Sequence, residues 1–143
     1  MSTRKAGIMD AVIWEQLESL HGMVTQRLAK EMQRRHRLGL SEYQALCQLA
    51  RADDGELRMQ ELAELIGLNQ SSVSRLVARL EAGGLTRRDL CPGDRRGVYT
   101  VITEEGRALY RESEPTYREA LSKALDEASA DTRIGELAAK LRA

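Results

Sequence analysis

Cysteine is scarce in this chain. Its 143 residues hold two, Cys47 and Cys91. They fall in different predicted elements, so they are expected to be free thiols, as in a reducing cytoplasm. No apolar run is long enough to cross a membrane. The amino-terminal stretch starts basic but meets Asp10 and Glu15 too early for the core of a secretion signal. Histidine is equally sparse: His21 and His36 lie fifteen residues apart on one expected helix, roughly 22 Å along its axis, too far to share a site within the chain. There is no glycine-rich phosphate loop, no nucleophile elbow and no paired-cysteine motif, so no catalytic, metal or cofactor site is expected. Neither charge sign is in excess, with 22 Lys and Arg against 22 Asp and Glu. That excludes a uniformly polybasic binder but permits a local basic face. Repeats, low-complexity tracts and flexible linkers are missing too, and residues 1–143 are read as one domain.

What is present is concentrated between Met59 and Glu81, MQELAELIGLNQSSVSRLVARLE. Leu62, Ala63 and Ile66 share one face at helical spacing over Gln60 to Ile66. Gly67 follows, where a helix C-terminus favours a positive φ. Leu68 is expected as a buried plug in the turn. Asn69 can then cap a second helix by accepting a bond from a free backbone N–H. That helix turns Val73, Leu76, Val77 and Leu80 inward and leaves Gln70, Ser71, Ser74, Arg75 and Arg79 outward. This is the helix-turn-helix pattern, which presents a helix to a DNA major groove. Gln pairs bidentately with adenine, Ser is permissive, and Arg75 or Arg79 can take guanine or phosphate. A lone amphipathic helix pair would be weak support, and its polar face could simply be wet.

The next stretch strengthens it. Gly83-Gly84 ends the helix, Leu85 to Asp89 has short-strand character, Leu90 to Gly97 is a loop, and Val98 to Ile102 reads as a returning strand. A β-hairpin with Arg95 and Arg96 at its tip thus follows the second helix, forming a wing. Arg96 is expected to clamp the flanking minor groove or the backbone, with Arg95 in support and Asp94 orienting the guanidinium. Arg87 and Arg88 are strand neighbours and point opposite ways, so at most one faces DNA.

SRLVARLEAGGLTRR followed by PGDRRGVYTVITEEGR resembles the multiple antibiotic resistance regulator (MarR) family of bacterial transcription factors. The most specific part is Asp94-Arg95-Arg96, matching a wing pattern of Asp, any residue, Arg. Thr103-Glu104-Glu105-Gly106 matches the family's Leu-Thr-x-x-Gly, with Ile102 in place of Leu. The resemblance implies a mainly α fold: a winged helix-turn-helix over about 41–102, flanked by dimerisation helices at about 8–36 and 103–143. It also implies a homodimer that binds double-stranded DNA, with no membrane association. The function expected is a repressor released by a small-molecule effector. A two-fold axis would set two recognition helices into successive major grooves of a pseudo-palindromic operator.

The flanking segments agree with that role. Ile13, Leu17, Leu20, Val24 and Leu28 make an apolar stripe within Ile8 to His36. Ser41 and Gln44 resemble a capping box opening a helix to about Ala52, with Tyr43, Leu46 and Leu49 inward and Cys47 half-buried. Leu57-Arg58 can add a minimal strand to the wing. Thr103 can cap a long helix in which Pro115 is expected to make a kink or break, and Leu137 and Leu141 share a face of the last helix. Trp14, Tyr43 and Tyr110 are candidates for an effector pocket wall, although an aromatic at helical spacing is usually core. Two other functions fit the same elements: a winged-helix protein-interaction module, which would not need Arg95 and Arg96 on DNA, and a thiol sensor acting through Cys91 beside the wing.

Overall fold

A computed structural model describes residues 3–90 and 98–143. The chain forms two compact units, Met1–His36 with Thr116–Ala143, and Arg37–Pro115.

The second unit carries the helix-turn-helix. Helix α2 spans Leu40–Arg51 and is followed by a single 3-10 turn, Asp53–Gly55. Strand β1 (Glu56–Arg58), helices α3 (Met59–Ile66) and α4 (Gln70–Ala82), and strands β2 (Thr86–Leu90) and β3 (Val98–Ile102) come next, before the start of α5 (Glu104–Ser129). The sheet is antiparallel in the order β1-β3-β2. Leu57 pairs with Thr100, and Arg88 pairs with Thr100 from the other side. So β1 does join the wing sheet. Leu90 pairs with Val98 and belongs to β2, which corrects its assignment to the loop: the β3 ladder extends one pair further than composition indicated.

The apolar core of this unit comes from α2, α3 and α4, with Leu38 before α2 and strand β3. Leu38, Tyr43, Leu46, Leu49, Leu62, Val73, Leu76, Val77, Leu80 and Ile102 are buried. All but Leu38 and Ile102 are inward positions given by the helical period, and removing such apolar surface from water is the main stabilising term. Three local expectations are corrected. Helix α2 starts at Leu40 after Gly39, and Ser41 lies inside it without a capping role. The Tyr43 N–H finds the Gly39 carbonyl at 2.9 Å, which moves the helix start two residues earlier than the Ser41 box required. Leu68 is half-buried, not a buried plug, because the turn leaves one side of it open. Cys47 is buried, not half-buried, and its thiol donates to the Tyr110 hydroxyl at 3.6 Å.

The junction between the wing and α5 is close. Thr103 Oγ1 donates to the Gly84 carbonyl (2.7 Å) and accepts from the Gly106 N–H (3.0 Å). The Thr103 N–H donates to the Leu85 carbonyl at 3.1 Å. Thr103 therefore caps α5 as expected and also ties it to the end of the α4 turn. A Cβ on Gly106 would collide with the Leu85 carbonyl oxygen, so only glycine fits here.

The first unit comprises α1 (Thr3–His36), the second half of α5, and α6 (Gly135–Arg142). Helix α1 begins five residues before the expected Ile8. Leu20, Val24, Leu28 and Met32 of α1 are buried, as are Ala120, Ala124 and Ala128 of α5, Ile134, and Ala138 of α6. Arg27 pairs with Glu127 at 2.7 Å and Arg35 with Glu119 at 3.7 Å, linking α1 to α5. The apolar stripe of α1 is thus divided. Its lower half is spent inside the chain. Its upper half, Ile13 and Leu17 with Ile8, Met9 and Val12, is exposed. Trp14 is 60% exposed and is not core. Helix α5 runs through Pro115 without a break in its assignment. Among the described residues, no helix is long and apolar enough to cross a membrane.

Candidate nucleic-acid interface

Two turn residues aim α4. Gly67 adopts φ +71°, and the Leu68 N–H reaches back to the Ala63 carbonyl at 3.1 Å, closing α3. Asn69 stays extended, and its Oδ1 accepts from the Ser72 N–H at 2.8 Å and from Ser71 Oγ at 3.2 Å. That bond satisfies one of the free N–H groups of the first turn. Asn69 is therefore engaged in holding the helix start.

With Val73, Leu76, Val77 and Leu80 buried, the opposite face of α4 is set. Gln70, Ser71, Ser74, Arg75 and Arg79 are all exposed, as the period required. Arg75 and Arg79 sit one turn apart and make no ion pair among the described residues. The arginines of β2 differ. Arg88 Nε donates to Glu81 at 2.8 Å, and Arg87 lies 3.7 Å from Asp89. Arg88 shares a register row with buried Thr100, whereas Arg87 shares one with Val101 on the other face. The two do point opposite ways. Among the described arginines of α4 and β2, Arg75 and Arg79 are thus the ones without an ion pair. The expected wing tip, Asp94, Arg95 and Arg96, lies outside the described residues, as does Cys91.

Two groupings carry contacts that the sequence did not show: Arg58 with Tyr99, and Cys47 with the Tyr43–Tyr110 pair of the candidate pocket wall. Arg58, at the end of β1, lies opposite Tyr99 in the sheet. Its Nε donates to the Tyr99 hydroxyl at 3.1 Å, and its guanidinium carbon stands 5.3 Å from the ring centroid, within cation–π range. Beside it, a cavity of about 330 Å³ is lined by Arg58, Met59, Gln60, Gln70, Arg88 and Val98. The partners are 41 residues apart, and only strand register brings them together. The second grouping is Tyr43 and Tyr110, whose rings lie 5.7 Å apart, next to Cys47. Burial raises the Tyr110 phenol above its ordinary value, and the Cys47 thiol adds to the rise.

A model of the MarR family matches residues 38–97. The chain is 30% identical over 96 residues to the HTH-type transcriptional repressor NicR of Pseudomonas putida, covering 67% of this chain and 60% of NicR. The match therefore spans about three-fifths of that curated relative. Among solved structures, Sco3205, a MarR family transcriptional regulator from Streptomyces coelicolor crystallised with DNA, superposes with a TM-score of 0.77 at 28% identity, over 94% of this chain and 84% of Sco3205. CouR from Rhodococcus jostii, crystallised with p-coumaroyl-CoA, gives 0.69 at 28% identity, over 88% of this chain and 86% of CouR. The family and these relatives are transcriptional regulators and not enzymes.

Proposed function

The chain belongs to the MarR family of transcriptional regulators, and on that premise we propose that it is a cytoplasmic homodimeric repressor of a pseudo-palindromic operator, released by a small-molecule effector. The observation that carries the DNA part is the face of α4. Its apolar side is wholly committed to the core, while Gln70, Ser71, Ser74, Arg75 and Arg79 are offered to solvent on a capped helix start. Residues near the start of such a helix reach base edges. Gln70 and Arg75 read bases, Ser71 and Ser74 line the groove, Asn69 holds the entry, and Arg79 takes phosphate. The wing tip adds Arg96 and Arg95 in the flanking minor groove, with Asp94 orienting Arg96.

Dimerisation is supported by the upper face of α1. Ile8 and Val12, and Met9, Ile13 and Leu17, recur at four-residue spacing and are all exposed, as is Leu141 of α6. A contiguous apolar face of this kind marks an association surface, and a second copy supplies a matching one. Repression is carried over from NicR, and effector release from the ligand seen on CouR.

The test is binding to a duplex selected by the protein from a random pool, compared with a scrambled duplex. Gln70→Ala and Arg75→Ala should weaken the selected duplex more than the scrambled one, by about 1–3 kcal/mol for a bidentate base contact. Arg79→Ala should weaken both alike. Equal losses from all three would remove base reading from α4.

A further inference from the structure

We propose that Ala78 is a specificity-determining residue of α4, whose methyl group reads the C5-methyl of a thymine in the major groove, about one base pair beyond the pair met by Arg75. The proposal rests on α4 as the DNA-facing helix and adds a base contact that the polar residues of its face do not supply. The buried side of α4, Val73, Leu76, Val77 and Leu80, fixes which direction is outward. At ~100° per residue, Ser71, Arg75 and Ala78 lie within roughly 30° of the line directly opposite that side. Ser74 and Arg79 stand about 70° off it, one to each side. All five are exposed. The residues that enter a groove most deeply are those on the central line, so Ala78 belongs with Ser71 and Arg75 rather than at the margin.

Ala78 differs in kind from its neighbours. Ser71, Ser74, Arg75 and Arg79 are polar, and Ala78 is the apolar side chain among them. Its methyl offers no hydrogen bond, so it cannot tell one pattern of donors and acceptors from another. What it can meet is the apolar group on the major-groove edge of the bases, the thymine methyl. Its shortness matters as well. A lone Cβ lets the helix axis come close, while the longer Arg75 and Arg79 reach past it. Neither arginine makes an ion pair among the described residues, so both charges can hold the helix against the duplex. The carboxylate of α4, Glu81, is turned aside to Arg88 Nε at 2.8 Å, which keeps negative charge off the central line. Distance along the axis selects Ala78 over Ala82, the other exposed alanine of α4. Ala78 lies ~4.5 Å beyond Arg75, close to one base-pair step of ~3.4 Å, whereas Ala82, the last residue of the helix, lies ~10 Å beyond it.

The experiment measures binding of the full-length protein by fluorescence anisotropy to the selected duplex, and to copies in which one thymine at a time is replaced by deoxyuridine, which lacks only the C5-methyl. One thymine, with its two-fold mate, should stand out. Its replacement should weaken wild type about fourfold, as expected for one methyl group removed from water, and about fifteenfold when the mate is replaced as well. Ala78→Gly should bind the thymine duplex more weakly and should no longer distinguish it from the deoxyuridine duplex. A general loss of helix stability in that variant falls on both duplexes alike, so the comparison between them isolates the methyl contact. Arg79→Ala should bind both more weakly and keep the fourfold preference. Thermal melts check that each variant is folded. Indifference of the wild type to every thymine replacement, with Arg75→Ala still weakened, overturns the proposal and leaves the reading of α4 intact. A thymine preference that survives in Ala78→Gly overturns it too, since another residue would then read the methyl. Failure of the wild type to prefer any duplex over a scrambled one would overturn both.

Discussion

Replacing Gly106 by alanine should destabilise the protein, although the exchange normally strengthens a helix. Gly106 sits in the first turn of α5, where Ala is favoured over Gly by up to about 1 kcal/mol in a helix interior. Against that, the new Cβ would collide with the Leu85 carbonyl oxygen and meet Ile102 Cγ1 at 2.8 Å. The first contact is roughly 1 Å shorter than carbon and oxygen normally approach. Leu85 cannot retreat cheaply, because its carbonyl accepts the Thr103 N–H and its own N–H donates to the Leu80 carbonyl. Relief must separate α5 from the end of the α4 turn. That weakens the Thr103 bonds to Leu85 and Gly84, each worth about 1 kcal/mol net, and adds an overpacking cost of about 1–3 kcal/mol. The net expectation is a loss of about 2–4 kcal/mol, or roughly 6–12 °C in Tm for a chain of this size. Gly22→Ala is the matched control. That glycine lies inside α1 with nothing within 4 Å of the added Cβ, so it should gain about 0.5–1 kcal/mol. Thermal and denaturant unfolding of the two variants should move in opposite directions. A Gly106→Ala variant as stable as wild type would refute the close approach.

Thr100 is fully buried in β3, and its hydroxyl finds no partner among the described residues; Thr100→Val should raise stability by about 1 kcal/mol in urea unfolding, and a loss would reveal an ordered partner for the hydroxyl. Leu17→Glu, on the exposed part of α1, should shift sedimentation from dimer to monomer with the fold intact, whereas Leu20→Ala, three residues on and buried in the chain, should lower stability by about 2–5 kcal/mol. Burial holds the Tyr110 phenol above its ordinary value, with the Cys47 thiol adding to this. The stability tied to the neutral phenol is complete below the unfolded-state value of about 10 and is lost as pH rises through the higher folded-state value. Tyr110→Phe should remove that alkaline loss, and melts across alkaline pH would detect an unchanged loss if the assignment were wrong.

Local chemistry was legible in the sequence wherever one segment contains its own causes. The inward and outward faces of α3 and α4 follow from a 3.6-residue period. Gly67 and Asn69 announce their turn because a positive φ and an N-cap each restrict the residue types allowed. The strands of the wing and the cap at Thr103 were readable for the same reason. The start of α2 was not, because the Ser41–Gln44 pattern resembled a capping box, whereas the Tyr43 N–H bond to the Gly39 carbonyl sets the helix start two residues earlier.

Tertiary structure decided what depends on distant partners. A stripe such as Ile13 to Leu28 is apolar throughout, and its pattern cannot tell which residues are covered by the same chain. Packing in the first unit buries Leu20, Val24 and Leu28 and leaves Ile13 and Leu17 open. Charge behaves likewise: Arg88 and Arg75 are alike in sequence, but only folding puts Glu81 against Arg88 and leaves Arg75 unpaired among the described residues. Arg58 looked like the end of a minimal strand until the register of β1 on β3 set it over Tyr99. Periodicity and turn preference act over a few residues, so one sequence displays them. Register, burial and charge pairing are set by which surfaces exclude water from each other, and that is defined only when the whole unit has packed.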